Sequence, residues 1–134
     1  MIATNSLSSL IKLCFWAAIL TVFTVCLIPI DAQGPINHFD KFVHFFSFST
    51  LTVLCFWAYP ATSKRNNTRL HIQAIAICAF GMFIEIAQSF TPYRFFSWLD
   101  FLADSAGVLV IWLIYLRFVI PNGREKTDEH PSNI

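Results

Sequence analysis

His44, Glu85 and Asp104 each lie inside a different hydrophobic run of this chain. An ionisable side chain in lipid costs about 2.5–3.5 kcal/mol on insertion scales, so such residues face one another, a ligand or enclosed water. Histidine titrates near neutrality and can act as general acid or base. A carboxyl group in a low-dielectric layer suits proton transfer. These three residues are therefore the candidate catalytic groups.

Further polar residues flank them at helical spacing. Asp40, His44 and Ser47 stand at i, i+4 and i+7, on one helix face. Glu85 and Gln88 are three apart, with Gly81 one turn before them. Asp100, Asp104 and Gly107 repeat the first pattern, and Ala103 with Gly107 forms a small-xxx-small pair that permits close helix approach. Lys41 and Arg94 sit at segment edges. Arginine can grip a phosphate bidentately, and lysine adds a point charge. Asp40, Lys41, Ser47, Gln88, Arg94 and Asp100 are thus candidate ligand-binding residues, and a phosphate-bearing lipid headgroup would complete the charge balance. Near the start of a segment, Asp100 also reads as a helix cap or dipole partner.

The elements that must hold these residues are membrane helices. Of 134 residues, 56% are hydrophobic, 15 are phenylalanine and only 13% are charged, against roughly 25% charged in soluble domains. Apolar runs at about 13–30, 42–59, 70–90 and 101–120 each approach the ~20 residues needed to cross the hydrocarbon. The backbone has no partner in lipid, so the runs must be helical. The expected fold is all-α: one polytopic domain, 1–120, built as a bundle of four transmembrane helices, with a polar, disordered tail at 121–134. The first run is read as a span and not as a cleaved signal, because Ile30-Asp31-Ala32 lacks an A-x-A site.

Lys12, Lys64, Arg65, Arg69, Arg117, Arg124 and Lys126 fall on one side of such a bundle. By the positive-inside rule that side, with both termini, is cytoplasmic. The sequon Asn66-Asn67-Thr68 then lies inside and is discounted. Helices rise about 1.5 Å per residue, so His44, Glu85 and Asp104 all sit about one turn deep from the outer face. Three helices of alternating direction bring their charges into one layer. The first run carries no polar stripe and belongs at the periphery. Trp98, Tyr93, Phe95 and Phe96 read as an interfacial aromatic belt.

The net charge of +1 gives no indication of a nucleic-acid partner. No cofactor and no metal site are expected. Cys14, Cys26, Cys55 and Cys78 lack metal-ligand spacing and read as buried small hydrophobes. Asp40, His44, Glu85, Asp100 and Asp104 are the one set in which a divalent cation could be held.

The ordered set Asp40-Lys41-x-x-His44-Phe45, Glu85-x-x-Gln88-x-Phe90, Arg94 and Asp100-x-x-x-Asp104-x-x-Gly107 resembles the VanZ-like family over roughly 37–110. These are small polytopic bacterial membrane proteins, named after a glycopeptide-resistance accessory protein linked to teicoplanin. The resemblance implies a multi-pass protein of the bacterial inner membrane with an envelope role, and it supplies no reaction. Three readings stay open: an enzyme on a lipid or lipid-linked substrate, a binding, transport or proton-relay module, and a structural network in which Lys41, Arg94, Asp40 and Asp100 form interfacial ion pairs and His44, Glu85 and Asp104 bond between helices. The second would need a homo-oligomer or a membrane partner protein, because four spans show no inverted repeat.

Overall fold

Four helices of 26, 20, 22 and 17 residues follow one another in a computed structural model: α1 (Ile2–Leu27), α2 (Phe39–Ala58), α3 (Thr68–Ser89) and α4 (Trp98–Ile114). The structure describes residues 2–28, 39–60 and 68–119, and no strand occurs among them. Asp31, Pro35, Lys64, Arg65, Asn66, Asn67, Arg124, Lys126 and the expected tail at 121–134 lie outside the described residues.

All four helices are long and apolar enough to cross a membrane. The expected runs are recovered with shifted ends. The first helix starts eleven residues before the expected span, at Ile2 instead of residue 13. Ile2, Leu7, Leu10 and Ile11 carry its apolar spacing upstream, and no proline or glycine stops it. Its window therefore includes Lys12, whose Nζ lies 5.7 Å from the centre of the Tyr59 ring. A ring face partly compensates an ammonium group. At the other end, α4 widens into a π-helical turn, Tyr115–Val119, where the Tyr115 ring meets Phe56 edge-on at 4.9 Å. Arg117 is exposed in that turn, as a snorkelling residue would be.

Contacts set the directions. Lys41 at the start of α2 meets Asp100 at the start of α4, and Phe56 near the end of α2 meets Tyr115 just beyond α4. These two helices are parallel. The end of α1 meets the end of α3 through Cys26 and Gln88, and α1 and α3 run opposite to the other two. α2 is the central helix, and α1 packs on α2 and α3 without touching α4 among the described residues.

Hydrophobic transfer cannot drive helix association where lipid tails surround the helices; packing and interhelical bonds do. Glycine permits the tightest packing here. A Cβ on Gly107 would collide with the Phe45 carbonyl oxygen and lie 2.9 Å from Ser49 Oγ, so α2 and α4 touch backbone to backbone. Above and below this crossing the core is filled by Phe48, Leu51, Cys55, Ile77, Ile84 and Val108. α1 buries only Phe15 among its described side chains. Cys14 points outward from the bundle, against the expectation that it is buried. Cys55 is buried, Cys26 and Cys78 are half-buried, and all four are free thiols.

Helix ends are closed by side chains from elsewhere. The last four carbonyls of a helix have no partner within it. In α1, those of Thr24 and Val25 share the Ile28 N–H, that of Cys26 accepts from Gln88 Nε2 at 2.8 Å, and that of Leu27 accepts from Tyr93 Oη at 3.1 Å. Gln73 Nε2 likewise donates to the Tyr59 carbonyl beyond the end of α2.

Candidate functional site

The start of α4 organises the polar end of the bundle. Ser97 is its N-cap and accepts from the Asp100 N–H at 3.3 Å. In a capping box, an acidic or amide side chain at the Asp100 position returns to the cap residue's own N–H. Here that N–H donates to Glu85 Oε2 at 2.9 Å, so α3 supplies the acceptor. Asp100 is released from the role, and its Oδ1 pairs with Lys41 Nζ at 3.3 Å. The α4 dipole favours both carboxylates at this position. The cap expected at Asp100 is thus Ser97, with Asp100 three residues into the turn.

One turn deeper, His44 Nδ1 lies 2.9 Å from Asp104 Oδ1, both residues being essentially buried. Gly81 makes room for this carboxylate: a Cβ there would stand 3.0 Å from Asp104 Oδ2 and 3.1 Å from Phe48 Cε1. Glu85 is fully buried beside the pair. Donor atoms of His44, Glu85 and Asp104, one from each, lie within 4.8 Å of one another. A second set, Asp40, His44 and Asp100, meets the same distance and shares the histidine. Toward the open end, Arg94 reaches Asp40 Oδ2 at 3.6 Å.

Seven of the nine residues singled out by sequence are therefore gathered in two tiers: His44, Glu85 and Asp104 inside, and Asp40, Lys41, Arg94 and Asp100 above them. Gln88 is adjacent but turned to α1, where its amide holds the Cys26 carbonyl. Ser47 is not in the cluster. It lines an outward-facing groove with Ala18, Thr21, Val22 and Phe46. One further contributor, the Ser97 backbone N–H, carried no sequence signal of its own, and Gly81, placed by its spacing one turn before Glu85, supplies room for Asp104.

Both cations offered for a phosphate already face carboxylates, Lys41 with Asp100 and Arg94 with Asp40, as in the ion-paired alternative. Four carboxylates against two cations leave −2 when all are ionised and His44 is neutral. Three buried oxygens of the cluster, Glu85 Oε1, Asp104 Oδ2 and Asp100 Oδ1, make no hydrogen bond; Asp100 Oδ1 has the Lys41 ion pair, and the other two have neither.

A family model described as VanZ/LLP1 matches residues 2–120, all four helices and every residue of both tiers. The chain belongs to the VanZ/LLP1 family. One similar relative of this VanZ/LLP1 protein is an uncharacterized protein of the fission yeast Schizosaccharomyces pombe, 33% identical over 107 residues. That alignment covers 75% of the present chain and 64% of the yeast protein, so the VanZ/LLP1 chain spans just under two thirds of that relative. No solved structure matches it. A eukaryotic relative shows that the likeness is not confined to bacteria.

Proposed function

We propose that this VanZ/LLP1 protein receives the polar headgroup of a membrane lipid, or of a lipid-linked precursor, in the layer between α2, α3 and α4. His44, oriented by Asp104, then exchanges a proton with that headgroup, and Glu85 acts as the second acid–base group. The observation that carries this reading is the pair of unpartnered oxygens, Glu85 Oε1 and Asp104 Oδ2, beside a paired histidine at the centre of the bundle. Each buried acceptor left unmade costs about 1–3 kcal/mol. Interhelical bonds in membranes return only about 0.6 kcal/mol on average, so helix packing alone is a poor reason to keep three ionisable groups there.

The distribution of basic residues supports both termini on the cytoplasmic side, with the headgroup site toward the opposite leaflet. In the inner membrane of a bacterium, the home that the resemblance implies, this leaflet carries envelope precursors. Altered teicoplanin susceptibility would then follow from a changed precursor.

The test compares membrane lipids by untargeted mass spectrometry in wild type, a deletion strain, and the deletion strain carrying Glu85→Gln at matched protein level. The expected result is one lipid species missing or accumulated in both the deletion and the variant. Lipid profiles identical to wild type in both would remove the lipid reading in favour of transport, proton relay or scaffolding. Teicoplanin susceptibility of the same strains reads the envelope consequence.

A further inference from the structure

We infer that the inner tier is a divalent-cation site, with a ring nitrogen of His44, a carboxylate oxygen of Glu85 and a carboxylate oxygen of Asp104 as its protein ligands. The inference rests on the proposed lipid reading for the headgroup that meets the ion, and it changes the part played by His44 and Glu85, which with an ion bound hold the metal in place of exchanging protons.

Three independent features of the inner tier point to an ion. Glu85 Oε1 and Asp104 Oδ2 are buried acceptors without a partner, on side chains with no solvent exposure. The donors already lie within 4.8 Å of one another. A tetrahedral ion with bonds of about 2.1 Å holds its ligands about 3.4 Å apart, so small side-chain rotations close the site. Finally, with the carboxylates ionised and His44 neutral, the protonation state that binds metal, the cluster is short of positive charge by two, which one divalent ion supplies.

The outer set of Asp40, His44 and Asp100 is the weaker candidate. Arg94 and Lys41 already offset its carboxylates, and it draws on the same histidine.

The surroundings of the inner tier suit a ligand set. The Ser97 N–H fixes Glu85 through Oε2 and leaves Oε1 free, as outer partners of metal ligands do. Gly81 leaves the space in which Asp104 Oδ2 sits. One imidazole and two carboxylates favour Mn²⁺ or Zn²⁺ over calcium or magnesium, which take all-oxygen sets. Three protein ligands leave a coordination position open. A phosphate oxygen of the lipid headgroup can occupy it. This resolves how a site whose own cations are already paired could still hold an anion.

The full-length protein, purified in detergent and stripped with chelator, would be titrated with MnCl₂ and, separately, ZnCl₂. Retained metal would be measured after desalting, and pulsed electron paramagnetic resonance of the Mn²⁺ sample would report its ligands. Wild type should keep about one ion per chain, with hyperfine coupling to one imidazole nitrogen. Glu85→Gln and Asp104→Asn should bind at least about tenfold more weakly. Should either variant fail to fold, a chain with His38, His71 and His130 replaced by alanine retains His44 as its sole histidine. The nitrogen coupling must persist in that chain. No retained ion in wild type, an ion without nitrogen coupling, or folded variants that bind as wild type does would each overturn the inference. Changed lipids in the Glu85→Gln strain without metal binding would remove the metal site and keep the lipid reading. Metal binding with unchanged lipids would do the reverse.

Discussion

Replacing Gly107 with alanine should loosen both the bundle and its polar layer. The new methyl group would collide with the Phe45 carbonyl oxygen and crowd Ser49 Oγ at 2.9 Å. Phe45 O is helix backbone and no rotamer change relieves it, so α2 and α4 must separate by most of an ångström. Crowding of this kind costs about 1–3 kcal/mol. His44 immediately precedes Phe45, and Asp104 lies one turn from Gly107. Separation therefore also stretches the 2.9 Å His44–Asp104 contact toward the limit beyond which a hydrogen bond is lost. That loss adds about 0.6–1.7 kcal/mol, the span from average to largest among measured interhelical bonds. The assay is unfolding in mixed detergent micelles, followed by tryptophan fluorescence, for Gly107→Ala, His44→Ala and the double variant. Gly107→Ala should cost about 2–5 kcal/mol in the wild-type background. It should cost less once His44 is gone, and the difference measures the coupling. Wild-type stability in the single variant would refute the backbone contact. A full cost with no coupling would refute the link between the crossing and the site.

Two further outcomes are expected. Gln88→Ala should lower stability by about 0.5–1.5 kcal/mol through the lost bond to the Cys26 carbonyl. Gln88→Met should not rescue it, because a thioether of similar size has no proton to donate there; rescue would show that size and not donation matters. Phe95→Cys, at an 87% exposed position between α3 and α4, should react with a membrane-impermeant maleimide on intact cells when the four native cysteines are replaced by alanine. Labelling only after permeabilisation would invert the topology.

The depth of each polar residue was legible in the sequence, because one rise per residue converts position into height. That is why His44 and Asp104, 60 positions apart, could be expected in one layer and are found 2.9 Å apart. Azimuth was harder to read. Ser47 shares a stripe with Asp40 but is turned about 60° from His44 at 3.6 residues per turn, enough to leave the cluster for the groove beside α1. Phe48 takes the inward position in its place and is fully buried. Pairing was legible only as one alternative. By residue type Lys41 and Arg94 read equally as phosphate ligands or as interfacial ion pairs with Asp40 and Asp100, and the fold shows which carboxylate each meets. Glu85 reads as a free acid, whereas one of its oxygens is held by a backbone N–H that no side-chain pattern encodes. The helix α1 begins upstream of the apolar run because serines and Lys12 interrupt its hydropathy without interrupting its helix.

The closing of α1 also bears on how the chain is made. Its last two carbonyls are satisfied by Gln88 and Tyr93, which lie 62 and 66 residues downstream. While the first helix is being inserted, neither donor has yet been synthesised. Until α3 and the turn after it arrive, these two carbonyls lack the side-chain donors they have in the folded bundle and are left to water and headgroups. Closure of the end of the first helix is therefore a late event in biogenesis, and a nascent chain stopped before Gln88 carries an α1 that can pack on α2 but lacks both of these donors.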